Sequence, residues 1–255
     1  MKSKLANIGV ICALTLVSFA SLADDGHTDD YKKHPIDVPV QRNDGHTRAY
    51  LNRHGSILGK IKRNESKHFD IVFCGDSITH NWNREPTKKE VFGKKVWDAE
   101  FADMKVLNCG FGGDRVETLH WRLANGELDG YTADKICLLI GTNNRQDTSE
   151  DISNGIKALV KRIRETRPEA KLVLMTILPR NDIHPPKVTP EIIARVRGAN
   201  PLIESWAKDM EGVVILNLDN DLTNPDGTLR NELFLDGIHL NEAGYRIWAQ
   251  RIKEL

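Results

Sequence analysis

The chain has 255 residues, 40% of them hydrophobic and 28% charged, with 36 basic and 36 acidic side chains. Such a composition describes a globular chain that buries a core. A formal net charge of zero leaves no basic excess to neutralise phosphates and argues against a nucleic-acid partner.

Taken in chain order, the first segment differs from the rest. Lys2 and Lys4 precede an apolar run from about Ile8 to Ala20, followed by Ser21-Leu22-Ala23 and then Asp24-Asp25. A basic start, a short apolar stretch and small residues before a polar switch have the form of a secretory signal peptide over residues 1–23. The run is short for a membrane span, so an uncleaved anchor is the lesser reading. Cys12 lacks the small-residue context of a lipoprotein cleavage site. The expectation is a secreted or periplasmic protein with no stable membrane insertion after cleavage. Cleavage removes two of the 36 basic residues and none of the 36 acidic ones, so the mature chain carries a net charge of −2.

Residues 24–47 are rich in Asp, His, Pro and Gly with no apolar period, and read as an extended or surface-hugging arm. From residue 48 to 255 the chain alternates. Apolar runs at Phe69–Cys74, Met104–Asn108, Lys135–Ile140, Lys171–Ile177 and Val213–Leu216 read as strands buried on both faces. The intervening stretches have helical period. Ile152, Ile156, Leu159, Val160 and Ile163 share one face behind Thr148, with Asp151 three residues on. Residues 191–210 are helix-like, with a break expected at Gly198 and Pro201. A last helix begins at Asn241 as N-cap and carries Ile247, Trp248, Ile252 and Leu255. Five strands alternating with helices predict an α/β fold, a single doubly wound sandwich around a five-stranded parallel sheet. Cys74, Cys109 and Cys137 lie near the ends of apolar runs and read as buried free thiols, with a single bridge among them left open.

In such sheets ligands bind outside the carboxyl ends of the strands. The unusual residues fall there: Gly75-Asp76-Ser77-Ile78 after the first strand, Asn108-Cys109-Gly110-Phe111-Gly112-Gly113-Asp114 after the second, Gly141-Thr142-Asn143-Asn144 after the third, and Asp236-Gly237-Ile238-His239 beyond the fifth. A serine hydroxyl needs a base to become a nucleophile. His239 can serve through one ring nitrogen if Asp236 holds the other. The developing oxyanion then needs donors, which a glycine-lined backbone and a side-chain amide can supply.

Each piece alone has a plainer explanation. Gly75-Asp76-Ser77 is equally a polar turn with Ser77 as a cap. The Gly110–Gly113 cluster lacks the third glycine of a dinucleotide loop, because position 115 is Arg. Asn143 alone is equally a turn residue or a buried hydrogen-bonder, and a lone Asp-x-x-His is usually structural or, less often, a pair of metal ligands. The argument rests on their joint occurrence at strand ends.

Together these blocks resemble the SGNH, or GDSL-type, hydrolases. Ser77, Gly113, Asn143 and His239 match the four residues of the family's name, and Ile78 stands where Leu is usual. The stretch Gly112-Gly113-Asp114 through Leu119-His120-Trp121-Arg122-Leu123, Asn125-Gly126-Glu127-Leu128, and Leu178-Pro179-Arg180 are similar to the platelet-activating factor acetylhydrolase branch. Secreted bacterial carbohydrate esterases share the pattern.

The resemblance implies a flavodoxin-like sheet, with Ser77 as nucleophile, His239 as general base and then acid, and Asp236 as its orienting carboxylate. The oxyanion hole would comprise the Ser77 and Gly113 N–H groups and the Asn143 amide. It implies neither metal nor cofactor, and leaves homodimerisation open.

Other residues have quieter readings. His80 is expected to face solvent or cap a neighbour, with substrate contact as the alternative. His27, His34, His46 and His54 show no ligand spacing. Trp97 and Trp121 are read as packing residues, as is Trp82, for which pocket lining is the second reading. Asn224-Pro225-Asp226-Gly227 is a turn.

The leading expectation is a serine esterase that removes short acyl groups, acetyl foremost, from carbohydrates through an acyl-enzyme. A lipid-directed acetylhydrolase or lysophospholipase is the alternative. A non-catalytic carbohydrate-binding protein on a hydrolase scaffold would require a missing triad member. A metal-dependent phosphoesterase would require more carboxylates or histidines at strand ends.

Overall fold

The computed structural model describes residues 35–255 apart from 89, 90, 184 and 186. The expected signal peptide over residues 1–23, His27, His34 and the start of the expected arm lie outside the described residues.

Five strands form one parallel sheet: β1 (His68–Gly75), β2 (Val106–Gly110), β3 (Thr132–Leu139), β4 (Lys171–Met175) and β5 (Val213–Leu216). Their spatial order is β2-β1-β3-β4-β5, the flavodoxin-like order, with the switch point between β1 and β3. The continuous apolar runs have a direct cause, since alternate residues point to opposite faces and both faces are covered. Val72, Cys74, Leu107, Ile136, Leu138 and Leu172 enter one core; Ile71, Phe73, Cys137, Leu139, Val173 and Met175 enter the other.

Helices α1 (Thr47–Arg63), α4 (Val116–Arg122), α5 (Ser149–Thr166), α6 (Pro190–Arg197) and α7 (Ala199–Ala207) contribute to the first core. The second is covered by α2 (Ser77–Asn81), α3 (Lys94–Glu100), α8 (Asp219–Leu222) and α9 (Glu242–Lys253). Local signals explain several boundaries. Thr148 accepts a hydrogen bond from Asp151 N–H at the start of α5, and Asn241 accepts from Ala243 and Gly244 N–H at the start of α9. Gly198 separates α6 from α7, and Pro201 falls in the first turn of α7, where its missing N–H costs nothing.

Helix α1 stands where sequence periodicity assigned no element. Its buried residues Tyr50, His54, Ile57 and Ile61 follow helical spacing. The polar member weakens the stripe: His54 is buried because its Nδ1 meets Glu127 Oε1 at 2.8 Å. The preceding arm is not confined to the surface. Ile36 joins the first core, and Arg42 is buried.

Cys74, Cys109 and Cys137 are buried free thiols. Trp82 is fully buried and stacks on Trp248 with ring centroids 4.3 Å apart, which places it in the core rather than in a pocket wall. Asn224 accepts from Gly227 N–H within the expected turn, where Asp226 accepts from Thr228. No helix among the described residues is long and apolar enough to cross a membrane.

Candidate active site

The carboxyl ends of the strands carry the site. Strand β1 ends at Gly75, and Asp76 caps α2 by accepting from Ile78 N–H at 2.9 Å. Ser77 is therefore the first residue of α2, where a backbone N–H has no partner within the helix. Two contacts fix this turn. A Cβ on Gly110, at the end of β2, would lie 2.3 Å from His80 N, so only glycine lets α2 rest against that strand. From the other side, Tyr245 of α9 donates its hydroxyl to the Ile78 carbonyl oxygen at 2.5 Å.

Asp76 is fully buried, and its Oδ2 has no partner among the described residues. Burial pushes this carboxyl up to about 7 against the opposing pull of the Ile78 N–H. Its position makes it a cap for the turn that presents Ser77.

His239 reaches Ser77 from 162 residues away: its Nε2 lies 2.9 Å from Ser77 Oγ. Its Nδ1 lies 2.7 Å from Asp236 Oδ2. The other carboxylate oxygen, Oδ1, accepts from the backbone N–H groups of Ile238 and His239 at 3.1 and 2.8 Å. Partial burial pushes Asp236 up, but the bonds from His239 and the backbone outweigh it and hold the carboxyl below its ordinary value. Asn181, in the loop after β4, donates its N–H to the Gly237 carbonyl oxygen at 2.9 Å and anchors the turn. The Phe92 ring meets His239 edge-on at 6.2 Å.

The second block turns sharply after β2. Gly113 has φ of +74°, a backbone region that side chains resist. Its N–H makes no hydrogen bond among the described residues. Asn143, after β3, donates one amide hydrogen to the Asp114 carbonyl oxygen at 2.8 Å, which ties the two loops together and leaves its second hydrogen available. Below this junction Arg122 Nε and Nη2 grip Asp114 Oδ2 at 2.9 and 2.6 Å, and Arg122 Nη1 bonds Glu127. All three side chains are fully buried. Burial opposes the Arg122 charge, and the two carboxylates more than offset it.

Ser77, Gly113, Asn143, Asp236 and His239 line one cavity of about 540 Å³. Arg145, Arg180, Asp182, Lys187, Val188 and Ile238 complete its wall. Arg180 holds Asp182 through two bonds of 2.6 Å and donates to Thr142 O and Oγ1 at 3.0 and 2.9 Å. The serine, histidine and carboxylate form a proton-transfer chain to a hydroxyl, with backbone and amide donors in the same cavity. That set suits addition to an ester carbonyl.

Several residues behave differently from their sequence reading. His80 is half-buried: it lies over the Phe111 ring at 6.0 Å and 18°, outside the cavity wall. Burial first, then the charges of Arg53 and Arg84, lower it to about 4, so it is neutral near pH 7. Sequence reasoning missed Arg42, whose Nη1 donates to the Gly112 carbonyl oxygen at 3.0 Å while its guanidinium lies 5.5 Å from the Phe111 centroid. No sequence signal marks it, because it sits in an aperiodic polar arm. Arg145 and Lys187 were also missed, though Arg145 follows Asn143 by two positions.

One group among the described residues has donors spaced for a metal ion: His68, Asp70 and Asp134, at the amino ends of β1 and β3. It lies at the end of the strands away from the site, and Asp70 Oδ2 already accepts from Lys105 N–H.

Residues 73–247 match the GDSL-like lipase/acylhydrolase family. The chain is 29% identical over 206 residues to the human platelet-activating factor acetylhydrolase IB subunit alpha2, covering 81% of this chain and 82% of that one. It is 30% identical over 208 residues to the bovine alpha1 subunit, covering 82% of each. Among solved structures, it resembles a GDSL-like lipase from Bacteroides thetaiotaomicron, with a TM-score of 0.62 at 17% identity over 81% of this chain and 95% of that one. It also resembles the lipase/acylhydrolase from Enterococcus faecalis, with a TM-score of 0.53 at 20% identity over 72% and 93%. The structural likenesses speak to the fold, and the family match covers every block that meets at the cavity. The chain belongs to the GDSL-like lipase/acylhydrolase family, the SGNH hydrolases, and is a carboxylic ester hydrolase.

Proposed function

We propose that the protein is a secreted esterase that removes short acyl groups, acetyl foremost, from carbohydrates, with Ser77 as nucleophile. The observation that carries the catalytic part is the unbroken chain Asp236–His239–Ser77 at 2.7 and 2.9 Å, opening into the same cavity as Gly113 and Asn143.

In this reading Ser77 Oγ adds to the ester carbonyl carbon as its proton passes to His239 Nε2. Asp236 holds the Nδ1–H and stabilises the imidazolium. The carbonyl oxygen becomes an oxyanion that accepts from the Ser77 and Gly113 N–H groups and the free hydrogen of the Asn143 amide. The carbon–oxygen bond to the alcohol then breaks, and His239 returns the proton to the leaving oxygen. A water, deprotonated by His239, releases the acyl group from Ser77 and restores the hydroxyl.

Polar side chains in the cavity wall support a sugar as the alcohol portion. Among the described residues of the wall, Val188 and Ile238 have aliphatic side chains, while Asn143, Arg145 and Lys187 offer hydrogen-bonding groups suited to hydroxyls. The names of the relatives speak of acetyl hydrolysis, which supports a short acyl group and keeps a lipid acetyl ester as the second reading. The apolar stretch ahead of Ala23 supports secretion.

The test is direct. Ser77→Ala should lower kcat on 4-nitrophenyl acetate by roughly 10⁶ with an unchanged melting curve. Retained activity would overturn the nucleophile assignment. Acetate release from acetylated xylan and pectin fragments, set against acetylated phospholipid, decides between sugar and lipid.

A further inference from the structure

Among the described residues, three cations reach the cavity wall: Arg145, Arg180 and Lys187. They come from the loops after β3 and β4. The two carboxylates of the wall are already engaged. Asp236 is bonded to His239 and two backbone N–H groups, and Asp182 is gripped through both oxygens by Arg180. Arg145 and Lys187 are different. Neither side chain has a hydrogen-bond or ion-pair partner among the described residues, and Arg145 is half-buried, where an unpaired guanidinium is costly. Burial, then the neighbouring Arg180 charge, lower the Arg145 guanidinium from its ordinary value, while the Asp182 charge pulls the other way without forming an ion pair.

We propose that Arg145, assisted by Lys187, forms a subsite for a carboxylate on the alcohol portion of the substrate, making the natural substrate an acylated acidic sugar. A planar guanidinium matches a carboxylate through two parallel N–H···O bonds, which also fixes the ring's orientation. The ester to be cleaved then lies over Ser77 while the acid group is held by the loops after β3 and β4. Lys187, which is exposed, adds a screened charge at the rim. This subsite rests on the sugar-ester reading above and narrows it from carbohydrates in general to those bearing a carboxylate.

The experiment compares the full-length enzyme on two probes that differ in one charge: a methyl glycoside of an O-acetylated uronic acid, and the same compound with its carboxyl methylated. At low ionic strength the free acid should be hydrolysed with a kcat/KM about tenfold or more above its methyl ester, the effect of one charge-assisted contact. The ratio should shrink as salt is added. Arg145→Gln should lower that ratio by about tenfold, and Lys187→Gln, at an exposed position that tolerates exchange, by a smaller factor.

Equal turnover of the two probes, or a ratio unmoved in both variants, overturns the subsite while leaving the sugar-ester reading standing. Turnover of neither probe, alongside hydrolysis of 4-nitrophenyl acetate, overturns both. A 2-acetyl phospholipid run in parallel shows whether the cations serve a phosphate instead, and preference for it over the uronate overturns the proposal in favour of a lipid ester.

Discussion

Arg42 Nη1 donates to the Gly112 carbonyl oxygen at 3.0 Å, across 70 residues of chain. The same guanidinium is fixed by Asp44, with Nε 3.0 and 2.8 Å from the two carboxylate oxygens. A Cβ on Gly113 would stand 3.2 Å from Arg42 Nη2, so the arginine packs against a glycine that lines the cavity. In the proposed mechanism the arm thus carries a positioning residue for one oxyanion donor. Arg42→Met should lower kcat about tenfold with little change in KM, because a loosened donor is felt most when charge develops on the substrate oxygen; the loss corresponds to about 1.4 kcal/mol. Steady-state kinetics on 4-nitrophenyl acetate, together with affinity for a boronate transition-state mimic, would show it. A change confined to KM would contradict it.

Asp236 holds both the imidazole Nδ1 and the backbone of the turn that bears it. Asp236→Asn preserves shape but offers the ring an amide, which favours the wrong tautomer. A fall in kcat of about 10⁴ is expected, by analogy with the same exchange in another triad. The lowered carboxyl also sets a direction with pH. Its folded value lies below its unfolded one, so its contribution to stability is present above the ordinary carboxylate range and fades as pH falls through the folded value. In acid the wild type should lose more stability than the Asn variant, as thermal melts would show.

Strands and site blocks were legible for a common physical reason. A strand covered on both faces must be apolar at every position, so runs such as Ile71–Cys74 stand out, and a parallel sheet confines the polar, glycine-rich exceptions to its carboxyl edge. Ser77, Gly113, Asn143, Asp236 and His239 are such exceptions. What stayed hidden depends on partners remote in sequence. His54 reads as polar until Glu127 is brought to it. Trp82 offers an aromatic face to a sugar until Tyr245 and Trp248 are found stacked on it. Arg42 and Arg145 lie in loops, where no period reveals which way a side chain turns.

Arg122 joins Asp114, next to Gly113, to Glu127. Breaking a fully buried ion pair strands the remaining charges, at a cost of about 3–5 kcal/mol. Arg122→Met should therefore lower Tm by roughly 6–20 °C for a chain of this size. Calorimetry of the purified variant would measure it. A drop of a degree or two would mean that the carboxylates find protons or water without strain. The companion variant Arg122→Lys retains a charge but not the fork that spans both carboxylates, and should recover only part of the loss.

Asp76 makes stability depend on pH in the opposite sense from Asp236. Burial raises its carboxyl to about 7 in the fold, against about 3.9 in an unfolded chain. Between those values the native state holds a proton that the unfolded state has released. Stability therefore falls as pH rises from about 4 towards 7 and levels off above that, where both states are ionised. Asp76→Asn keeps an oxygen to accept from Ile78 N–H and has no charge to bury. Denaturant melts at pH 5 and pH 8 should show a smaller loss on going to pH 8 in Asp76→Asn than in the wild type. Because Asp76 caps α2 and its Asn replacement can still do so, the variant should retain much of its esterase activity. Collapse of kcat in a variant with a native melting curve would instead place Asp76 in the chemistry itself.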